Sequence, residues 1–409
     1  MPRAKGRQGT GKSSSNNALK KLIANIDENA AKRKVSMFKL KDFEEMYGVK
    51  YFISTGLPDL DLHLFSGERN LSGTRPMGWP TGRIVEICGD EGSFKTWITH
   101  SASARFRKAG GLVFLIQTEN DFDLRFYRKF YDSVGLDFES EVEPFVRASM
   151  ATTMGETINA LKSILPKVRE HYEQGGESIP VLIVLDSLAA MFSTADHDNF
   201  EADKDPKMGS HASEIHKMMK YIMEDLGRYN VCFMVTNQYR ADMGPSRKTK
   251  KPAHDNAVRY YASLRLQTTA WGGKANERTS LGQDYLDTKQ VKVKITKIRG
   301  ETTGNNELEL TYFVNRGFDK LGSLINAMQI SGMIKPSKSS WEFTLNTETP
   351  VKYEQELHDF LDGAGKLKMG KGKTFRAFLK ENKEWIPKIE LIALARGPRK
   401  FGDEEEVMK

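Results

Sequence analysis

Short apolar runs alternate with segments of helical periodicity through the middle of the chain. Four of these runs have the length and composition of buried strands, namely Ile84–Cys88, Val113–Ile116, Val181–Leu185 and Val231–Thr236. Between them, the spacing of apolar positions predicts helices over about 95–108, 153–173 and 211–228. Strands separated by helices connect through right-handed crossovers, so the pattern predicts an α/β fold with a mostly parallel central sheet.

The pattern before this alternation is different. Residues 1–16 are small, polar and basic, and we expect them to be disordered. From Asn17 to about Lys34, apolar residues recur at helical spacing and predict an amphipathic helix. Residues 1–50 are therefore predicted to form a basic tail and a helical arm.

After the alternation, the apolar runs lie closer together and are separated by polar loops. These runs predict hairpin strands that extend the sheet, over Ala262–Gln267, Gln290–Ile298 and Leu308–Val314. We assign residues 51–317 to the core. Residues 318–409 are predicted to form a small C-terminal α/β domain that ends in an acidic tail.

Composition and charge narrow the class of protein. The 409 residues are 39% hydrophobic and 28% charged, which is typical of a globular chain with one large core and a smaller domain. No apolar run is long enough to span a membrane and the N-terminus lacks a secretory signal, so we expect a soluble cytoplasmic protein without membrane partners. Cys88 and Cys232 lie in apolar runs and do not indicate a disulfide framework. The net charge of +8 permits contact with a polyanion.

A phosphate-binding loop pattern, G-x-x-x-x-G-K-[ST], occurs in full at Gly6–Ser13. In such loops, backbone N–H groups surround phosphate oxygens, the lysine adds charge, the hydroxyl binds Mg²⁺, and the following helix contributes its positive end. The Gly6–Ser13 segment has no strand before it and a run of Ser and Asn after it. We therefore interpret it as a chance match in a solvated tail.

A second, imperfect match is better placed. Gly89–Thr96 follows a predicted strand and opens a predicted helix, although Phe94 occupies the position of the glycine before the lysine. Because the backbone N–H at that position makes the phosphate contact, phenylalanine is tolerable if its φ stays negative. Its predicted nucleotide-binding residues are Gly89, Asp90, Glu91, Gly92, Ser93, Phe94, Lys95, Thr96 and Trp97. The alternative is a strand-to-helix turn that binds no ligand.

Two carboxylates follow other predicted strands of the same sheet. Asp186 ends the run Val181–Leu185, and Glu119 closely follows another strand. Ligands of open α/β sheets bind at the carboxyl ends of the strands, so we expect Asp186, with Thr96, to hold Mg²⁺, and Glu119 to polarise the attacking water. Either acid alone is equally compatible with a helix cap or a surface charge.

The order of these motifs resembles the RecA family from about Phe52 onwards, most specifically in the decapeptide Asn256–Arg265. The resemblance implies a RecA-like ATPase core that uses ATP and Mg²⁺, in which Glu119 and Lys95 are catalytic and Gln238 senses the γ-phosphate. It also implies that Asp123 and Phe126 contact adenine. Phenylalanine before the loop lysine is similar to the UvsX-type recombinases of bacteriophages.

The same resemblance implies two DNA-binding loops, at about 193–208 and 240–256. The second contains several cations and almost no large apolar residue, which suits contacts with the phosphates of single-stranded DNA; the alternative is a solvated loop. The predicted DNA-binding residues are Met208, Gly209, Arg240, Arg247, Lys248, Lys250 and Lys251. Lysines near 366–373 fit either duplex DNA or solvent equally well.

Filament formation is a further implication of the resemblance. The residues expected to reach a neighbouring subunit's nucleotide are Arg259, Tyr260, Arg265, Lys297 and Arg299. The family has two basic residues that point across the subunit interface, and Lys297 matches one of them. The other position is occupied by Ile295, so Lys294 or Arg299 is the candidate to take its role. The N-terminal helix is expected to dock on the next protomer, or alternatively to pack on its own core.

The function that follows is an ATP-dependent recombinase that forms filaments on single-stranded DNA and exchanges strands with homologous duplex DNA. Its expected partners are these DNAs, further copies of itself, a single-strand binding protein and a loading mediator, in the cytoplasm of a bacterial host if the chain is phage-encoded. The alternatives are a hexameric helicase with the same core and a non-hydrolysing DNA-binding mediator.

Overall fold

The fold is described from a computed structural model of the chain. It describes residues 11–64, 77–201, 210–241, 250–272, 288–298, 306–313, 317–337, 339–346, 348–370 and 373–398. The chain divides into two compact units, Met1–Gly48 and Val49–Lys409.

The described part of the first unit is helical. It contains α1 (Gly11–Lys32) and α2 (Leu40–Tyr47). The helix thus begins at Gly11 rather than at Asn17, and the prediction of disorder up to residue 16 is wrong from Gly11 onwards. Adding turns to a nucleated helix costs little, so the amphipathic segment extends into a Ser/Asn-rich sequence of low intrinsic propensity.

The second unit contains the remaining helices and all the strands that the structure describes. The helices are α3 (Pro58–His63), α4 (Lys95–Lys108), α5 (Leu124–Asp132), α6 (Met154–Glu173), α7 (Thr194–Glu201), α8 (Ser210–Met223), α9 (Asp255–Tyr261), α10 (Lys320–Ile330), α11 (Glu354–Gly363), α12 (Lys373–Glu381) and α13 (Ile386–Arg396). The strands are β1 (Phe52–Ile53), β2 (Trp79–Pro80), β3 (Ile84–Gly89), β4 (Leu112–Gln117), β5 (Val146–Met150), β6 (Val181–Asp186), β7 (Val231–Ala241), β8 (Lys250–Pro252), β9 (Leu264–Gly272), β10 (Thr288–Ile298), β11 (Glu307–Phe313), β12 (Gly317–Phe318), β13 (Ile334–Pro336), β14 (Ser340–Phe343) and β15 (Lys368–Gly370).

A ten-stranded sheet forms the centre of this unit, in the order β12-β11-β10-β9-β3-β7-β6-β4-β5, with β8 paired to β7. Pairing is parallel from β9 through β3, β7, β6 and β4 to β5, and antiparallel from β9 to β12. The predicted α/β class with a mostly parallel sheet and a hairpin extension is confirmed. The carboxyl ends of β3, β4, β6 and β7 consequently lie together at one edge.

Side chains of the central strands alternate between two apolar cores, one on each face of the sheet. Val85 and Ile87 pack in one core, with α4 and α5, while Ile84 belongs to the other, with α6 and α8. A strand that is buried on both faces is apolar at almost every position, which is why the central strands were visible as continuous runs.

The C-terminal segments pack around a third core, and their three-stranded sheet has the order β13-β14-β15. Leu62 of α3 belongs to the same apolar cluster, and Asp59 of α3 accepts a hydrogen bond from Asn326 of α10 at 3.1 Å. Among the described helices, none is both long and apolar enough to cross a membrane.

Both predicted loops are partly regular. Helix α7 occupies the start of the first, and the second begins and ends in a hairpin in which Arg240 of β7 is opposite Lys251 of β8. Both ends of the predicted second loop are thus regular, because β7 continues beyond the sheet and is long enough to pair with the returning chain. Residues 202–209 and 242–249 lie outside the described residues, and with them Met208, Gly209, Arg247 and Lys248.

Candidate functional site

The loop Gly89–Thr96 joins the buried strand β3 to helix α4 at the edge where the parallel strands end. Gly92 has a φ of +68°, which glycine adopts at no steric cost. A side chain at Gly89 would lie 2.4 Å from the hydroxyl oxygen of Ser93, so this glycine allows the turn to close on the strand. The loop therefore has the strand-turn-helix context that a phosphate-binding loop needs.

Phe94 is in the left-handed conformation, with φ 69° and ψ 19°. The condition under which phenylalanine was considered tolerable, a negative φ, is therefore not met. A non-glycine residue there costs about 1–2 kcal/mol. The conformation is maintained by packing of the Phe94 ring, whose centroid is 4.9 Å from that of Tyr312 and 5.7 Å from that of Trp97. The glycine of the pattern is thus replaced by a residue whose side chain anchors the turn to β11 and α4.

Replacing Phe94 by glycine is expected to destabilise the protein less than replacing it by alanine, by about 1 kcal/mol, because alanine retains the cost of the left-handed backbone. Urea denaturation of the two variants measures the difference. Ser101, inside α4, is the control position, where alanine is expected to be more stable than glycine by about 0.5–1 kcal/mol. Equal stabilities at position 94 would contradict the conformation of the loop.

The ammonium group of Lys95 forms hydrogen bonds with the backbone of the loop Gly89–Thr96. Its Nζ donates to the carbonyl oxygens of Asp90 at 2.7 Å and Gly89 at 3.1 Å. Burial lowers the pKa of Lys95, while the nearby carboxylates of Asp186 and Glu119 act in the opposite direction. Nζ also donates to the hydroxyl of Ser93 at 3.5 Å, and a buried cation bound by neutral oxygens is well suited to bind an anion that enters the loop.

Asp186 and Thr96 approach each other across the same edge. The buried carboxylate of Asp186 accepts a hydrogen bond from the hydroxyl of Thr236, and the neighbouring side chain of Thr96 also favours its charged form. Burial raises the pKa of Asp186, which indicates that a cation would be a favourable partner. A carboxylate beside a hydroxyl is an oxygen donor set that suits Mg²⁺, so the residues fit the predicted metal.

Glu119 and Gln238 form the opposite side of the site. Oε1 of Glu119 accepts hydrogen bonds from the hydroxyl of Ser187 at 2.9 Å and from Nε2 of Gln238 at 3.2 Å. Nδ2 of Asn237 donates to the carbonyl oxygen of Ala253 at 2.7 Å, and the N–H of Ala253 donates to the carbonyl oxygen of Gln238 at 2.9 Å. These bonds connect the carboxylate to both ends of the predicted second DNA loop.

A cavity of about 280 Å³ opens beside the loop. Among the residues that line it are Lys95, Thr96, Asp123 and Phe126. Gln117 also lines it, and its buried Nε2 has no hydrogen-bond partner among the described residues. Phosphate-loop donors, aromatic walls and an unsatisfied amide together fit a nucleotide.

Trp97 packs against other aromatic side chains beside this cavity. Its ring centroid is 4.1 Å from that of Phe126 and 4.3 Å from that of Tyr312. Asp123 begins α5 by accepting a hydrogen bond from the N–H of Arg125 and is exposed. The structure therefore brings Trp97, Asp123 and Phe126 to the same cavity as the phosphate loop.

Glu86 is a site residue that sequence reasoning missed. It is fully buried in β3, where it accepts hydrogen bonds from Nδ2 of Asn237 and from Nε of Arg265. Burial opposes the charge of Arg265, but the carboxylates of Glu86 and Asp255 outweigh it and raise the Arg265 pKa. A glutamate inside an otherwise apolar strand was the available signal, since buried charges are paired.

The buried position of Arg265, which is only 6% exposed, argues against its predicted role at a neighbouring subunit. Arg259 and Tyr260 are exposed, and Nζ of Lys297 donates to the carbonyl oxygen of Arg259 at 2.7 Å. Ile295 is buried, and Lys294 forms an ion pair with Glu307. Arg299 lies outside the described residues.

Some of the predicted DNA-binding cations belong to the described residues. Arg240 is exposed and donates through Nη2 to the carbonyl oxygen of Ala189 at 2.7 Å. The backbones of Lys250 and Lys251 form β8 beside it. Cationic residues thus flank the segment 242–249.

Comparison with known proteins agrees with this geometry. Residues 17–312 match the RecA N-terminal domain family. The chain is 26% identical over 388 residues to protein RecA of Bartonella tribocorum, covering 95% of this chain and 98% of the relative. It is 28% identical over 328 residues to protein RecA of Cereibacter sphaeroides, covering 80% and 83% respectively. It is also 26% identical over 265 residues to protein RecA of Borrelia hermsii, covering 64% and 67%. With a family match over residues 17–312 and a relative that aligns with most of its length, the chain belongs to the RecA family.

Proposed function

We propose that this protein is a DNA-dependent ATPase that forms filaments on single-stranded DNA and exchanges strands with a homologous duplex. The observation that carries the proposal is the hydrogen-bonded connection from Glu119 through Gln238 to Ala253. It links the candidate catalytic carboxylate to a segment rich in cations. A change at the nucleotide can therefore alter the conformation of a DNA-binding segment.

Nucleotide binding is assigned to the loop Gly89–Thr96. Backbone N–H groups of the loop and the Lys95 ammonium bind the phosphates, which replace the carbonyl oxygens now bound to Nζ. Thr96 and Asp186 hold Mg²⁺, which neutralises charge on the phosphates when it is bound. Asp123 and Phe126 contact the base beside Trp97.

Hydrolysis is assigned to Glu119. Its carboxylate orients and polarises the attacking water. Gln238, hydrogen-bonded to the same carboxylate, senses the γ-phosphate. Both side chains belong to the edge at which Lys95 and Asp186 meet, so binding and hydrolysis use one site.

DNA binding is assigned to the cations around the second loop, Arg240, Arg247, Lys248, Lys250 and Lys251, with Met208 and Gly209 in the first loop. The exposed Arg240 and the adjoining β8 support this proposal. Phosphate contacts of this kind weaken as salt is raised. Lys366 and Lys368 are exposed and are the candidate contacts for duplex DNA.

Assembly into a filament is supported by exposed apolar side chains on α1. Leu19, Leu22, Ile23 and Ile26 are between 46% and 59% exposed. An amphipathic helix with an uncovered apolar stripe is suited to dock on another protomer. Arg259, Tyr260 and Lys297 are then the candidates to reach the neighbouring nucleotide.

The phage-type assignment rests on Phe94. Its ring packs on Tyr312 and Trp97, so the surrounding side chains accommodate phenylalanine in place of the glycine of the pattern. We propose that the protein is closest to the UvsX-type recombinases, works in the cytoplasm of a bacterial host and receives single-stranded DNA with the help of a single-strand binding protein and a loading mediator.

Electron microscopy with single-stranded DNA and ATP tests the assembly. We expect helical filaments from the natural protein and filaments at least about tenfold shorter from Ile23→Asp, because a buried charge without a partner costs several kcal/mol. Asn25→Asp places the same charge on the same helix and is expected to leave filaments intact. Rings instead of filaments would favour a hexameric helicase, and DNA binding without ATP turnover would favour a mediator.

A further inference from the structure

Two histidines from different segments meet beside the predicted DNA loops. His211 is the second residue of α8, directly after the first predicted loop, and His254 immediately precedes α9, at the end of the second. Their ring centroids are 4.1 Å apart and the rings are inclined by 76°. This edge-to-face contact joins the exits of the two loops.

One nitrogen of each ring lacks a hydrogen bond among the described residues. Nε2 of each histidine is buried and has no hydrogen-bond partner in the part of the chain that the structure describes. Burial lowers the pKa of both imidazoles, that of His254 to about 4, and the positive charge of Arg240 on β7 acts in the same direction. The contact is therefore between two neutral rings at neutral pH.

His254 is connected to the proposed nucleotide sensor, Gln238, through the neighbouring residue Ala253. The preceding residue, Ala253, exchanges hydrogen bonds with Asn237 and Gln238, and Gln238 reaches Glu119. On the other side, Glu214 lies one helical turn beyond His211 and accepts a hydrogen bond from the N–H of Thr194 at 3.0 Å. The histidine contact is thus the link between the sensor and both ends of the first loop.

We propose that the His211–His254 pair is a positioning contact that transmits the nucleotide state from Gln238 to the first DNA loop within one protomer. The inference deepens the proposed function and rests on it. The two rings touch neither nucleotide nor the reacting atoms. They hold the start of α8 against the residue that follows Ala253, so that a shift of Ala253 is passed to α8.

The charges around the pair fix the direction of its pH dependence. Among the described side chains, the charged groups that act on it are Arg240 from β7, Glu214 from α8 and Asp196 from α7, of which only the two acids favour protonation. Because the folded pKa values are depressed, the contact is fully present above the ordinary histidine pKa of about 6.5 and is lost as pH falls towards 4.

The experiment measures how far a nucleotide strengthens DNA binding. The affinity of the full-length protein for a fluorescent oligo-dT is measured with and without a non-hydrolysable ATP analogue, and the ratio of the two affinities is the coupling factor. The variants are His211→Asn, His254→Asn and their double mutant, since asparagine tolerates the left-handed backbone of His254. His216→Ala, an exposed histidine on the same helix, is the matched control.

We expect each single variant to lower the coupling factor about threefold to tenfold and the double variant to lower it no further, because the two rings act through one contact. ATP hydrolysis without DNA should stay within about twofold of the natural rate in all these variants. The coupling factor of His216→Ala should also stay within about twofold of the natural value. Lowering the pH from 7.5 to 5.5 should reduce the coupling factor of the natural protein and leave that of the double variant unchanged.

An unaltered coupling factor in the double variant, or the same pH dependence in every variant, would overturn the inference. Circular dichroism establishes that the variants are folded, and His211→Asn keeps the test decisive if position 254 tolerates no change. Failure of the proposed function is distinguishable, because the natural protein itself would then bind no oligo-dT or show no nucleotide effect.

Discussion

Lys95→Ala is expected to lower the rate of ATP hydrolysis by at least about a hundredfold, the usual consequence of removing one preorganised charge that stabilises the transition state. The buried Nζ of Lys95 lies within hydrogen-bonding distance of two loop carbonyl oxygens, where entering phosphates replace them. A steady-state phosphate-release assay, with and without single-stranded DNA, measures the effect.

Lys12→Ala is the matched control, since Lys12 is the lysine of the complete pattern in the tail. Its rate should equal that of the natural protein. Helix α1 begins within that pattern, at Gly11, and the described part of the first unit contains no strand. Loss of turnover in Lys12→Ala with full turnover in Lys95→Ala would refute the assignment.

Glu86→Ala is expected to reduce the free energy of unfolding by about 3–5 kcal/mol, because it removes one partner of a buried ion pair and leaves Arg265 undercompensated. The side chain of Glu86 is fully buried and that of Arg265 is 7% exposed. Urea denaturation followed by tryptophan fluorescence measures the loss. The double variant Glu86→Leu with Arg265→Met should be more stable than Glu86→Ala, since it removes both charges.

Glu170→Ala is the control for this prediction. Glu170 pairs with Lys167 on the surface of α6, where both side chains are largely solvated. Exposed pairs contribute little, so the unfolding midpoint should hardly change. Similar losses at Glu86 and Glu170 would show that burial of the Glu86–Arg265 pair has no energetic consequence.

The elements that local sequence determines were predictable. Strands β3, β4 and β6 are apolar at nearly every position because both faces of the sheet are covered, and Asp186 ends β6 where the apolar run ends. The strand-turn-helix context then selected Gly89–Thr96 over the complete pattern. These features depend on residues close together in the chain.

Features that depend on distant residues were not predictable. The Glu86–Arg265 pair requires the parallel register of β3 and β9, in which those two residues are neighbours. The positive φ of Phe94 is stabilised by Tyr312, more than two hundred positions away in the sequence. Strand β5 was missed because it is an edge strand with mostly exposed side chains and shows no apolar run.

Strand exchange between single-stranded DNA and a homologous duplex is the most direct test of the central claim. With ATP and Mg²⁺, the natural protein should form a heteroduplex product, which should be absent with a heterologous duplex and with the Lys95→Ala variant. Unwinding of a forked duplex without homology, or ATP turnover with no heteroduplex from homologous DNA, would contradict the account.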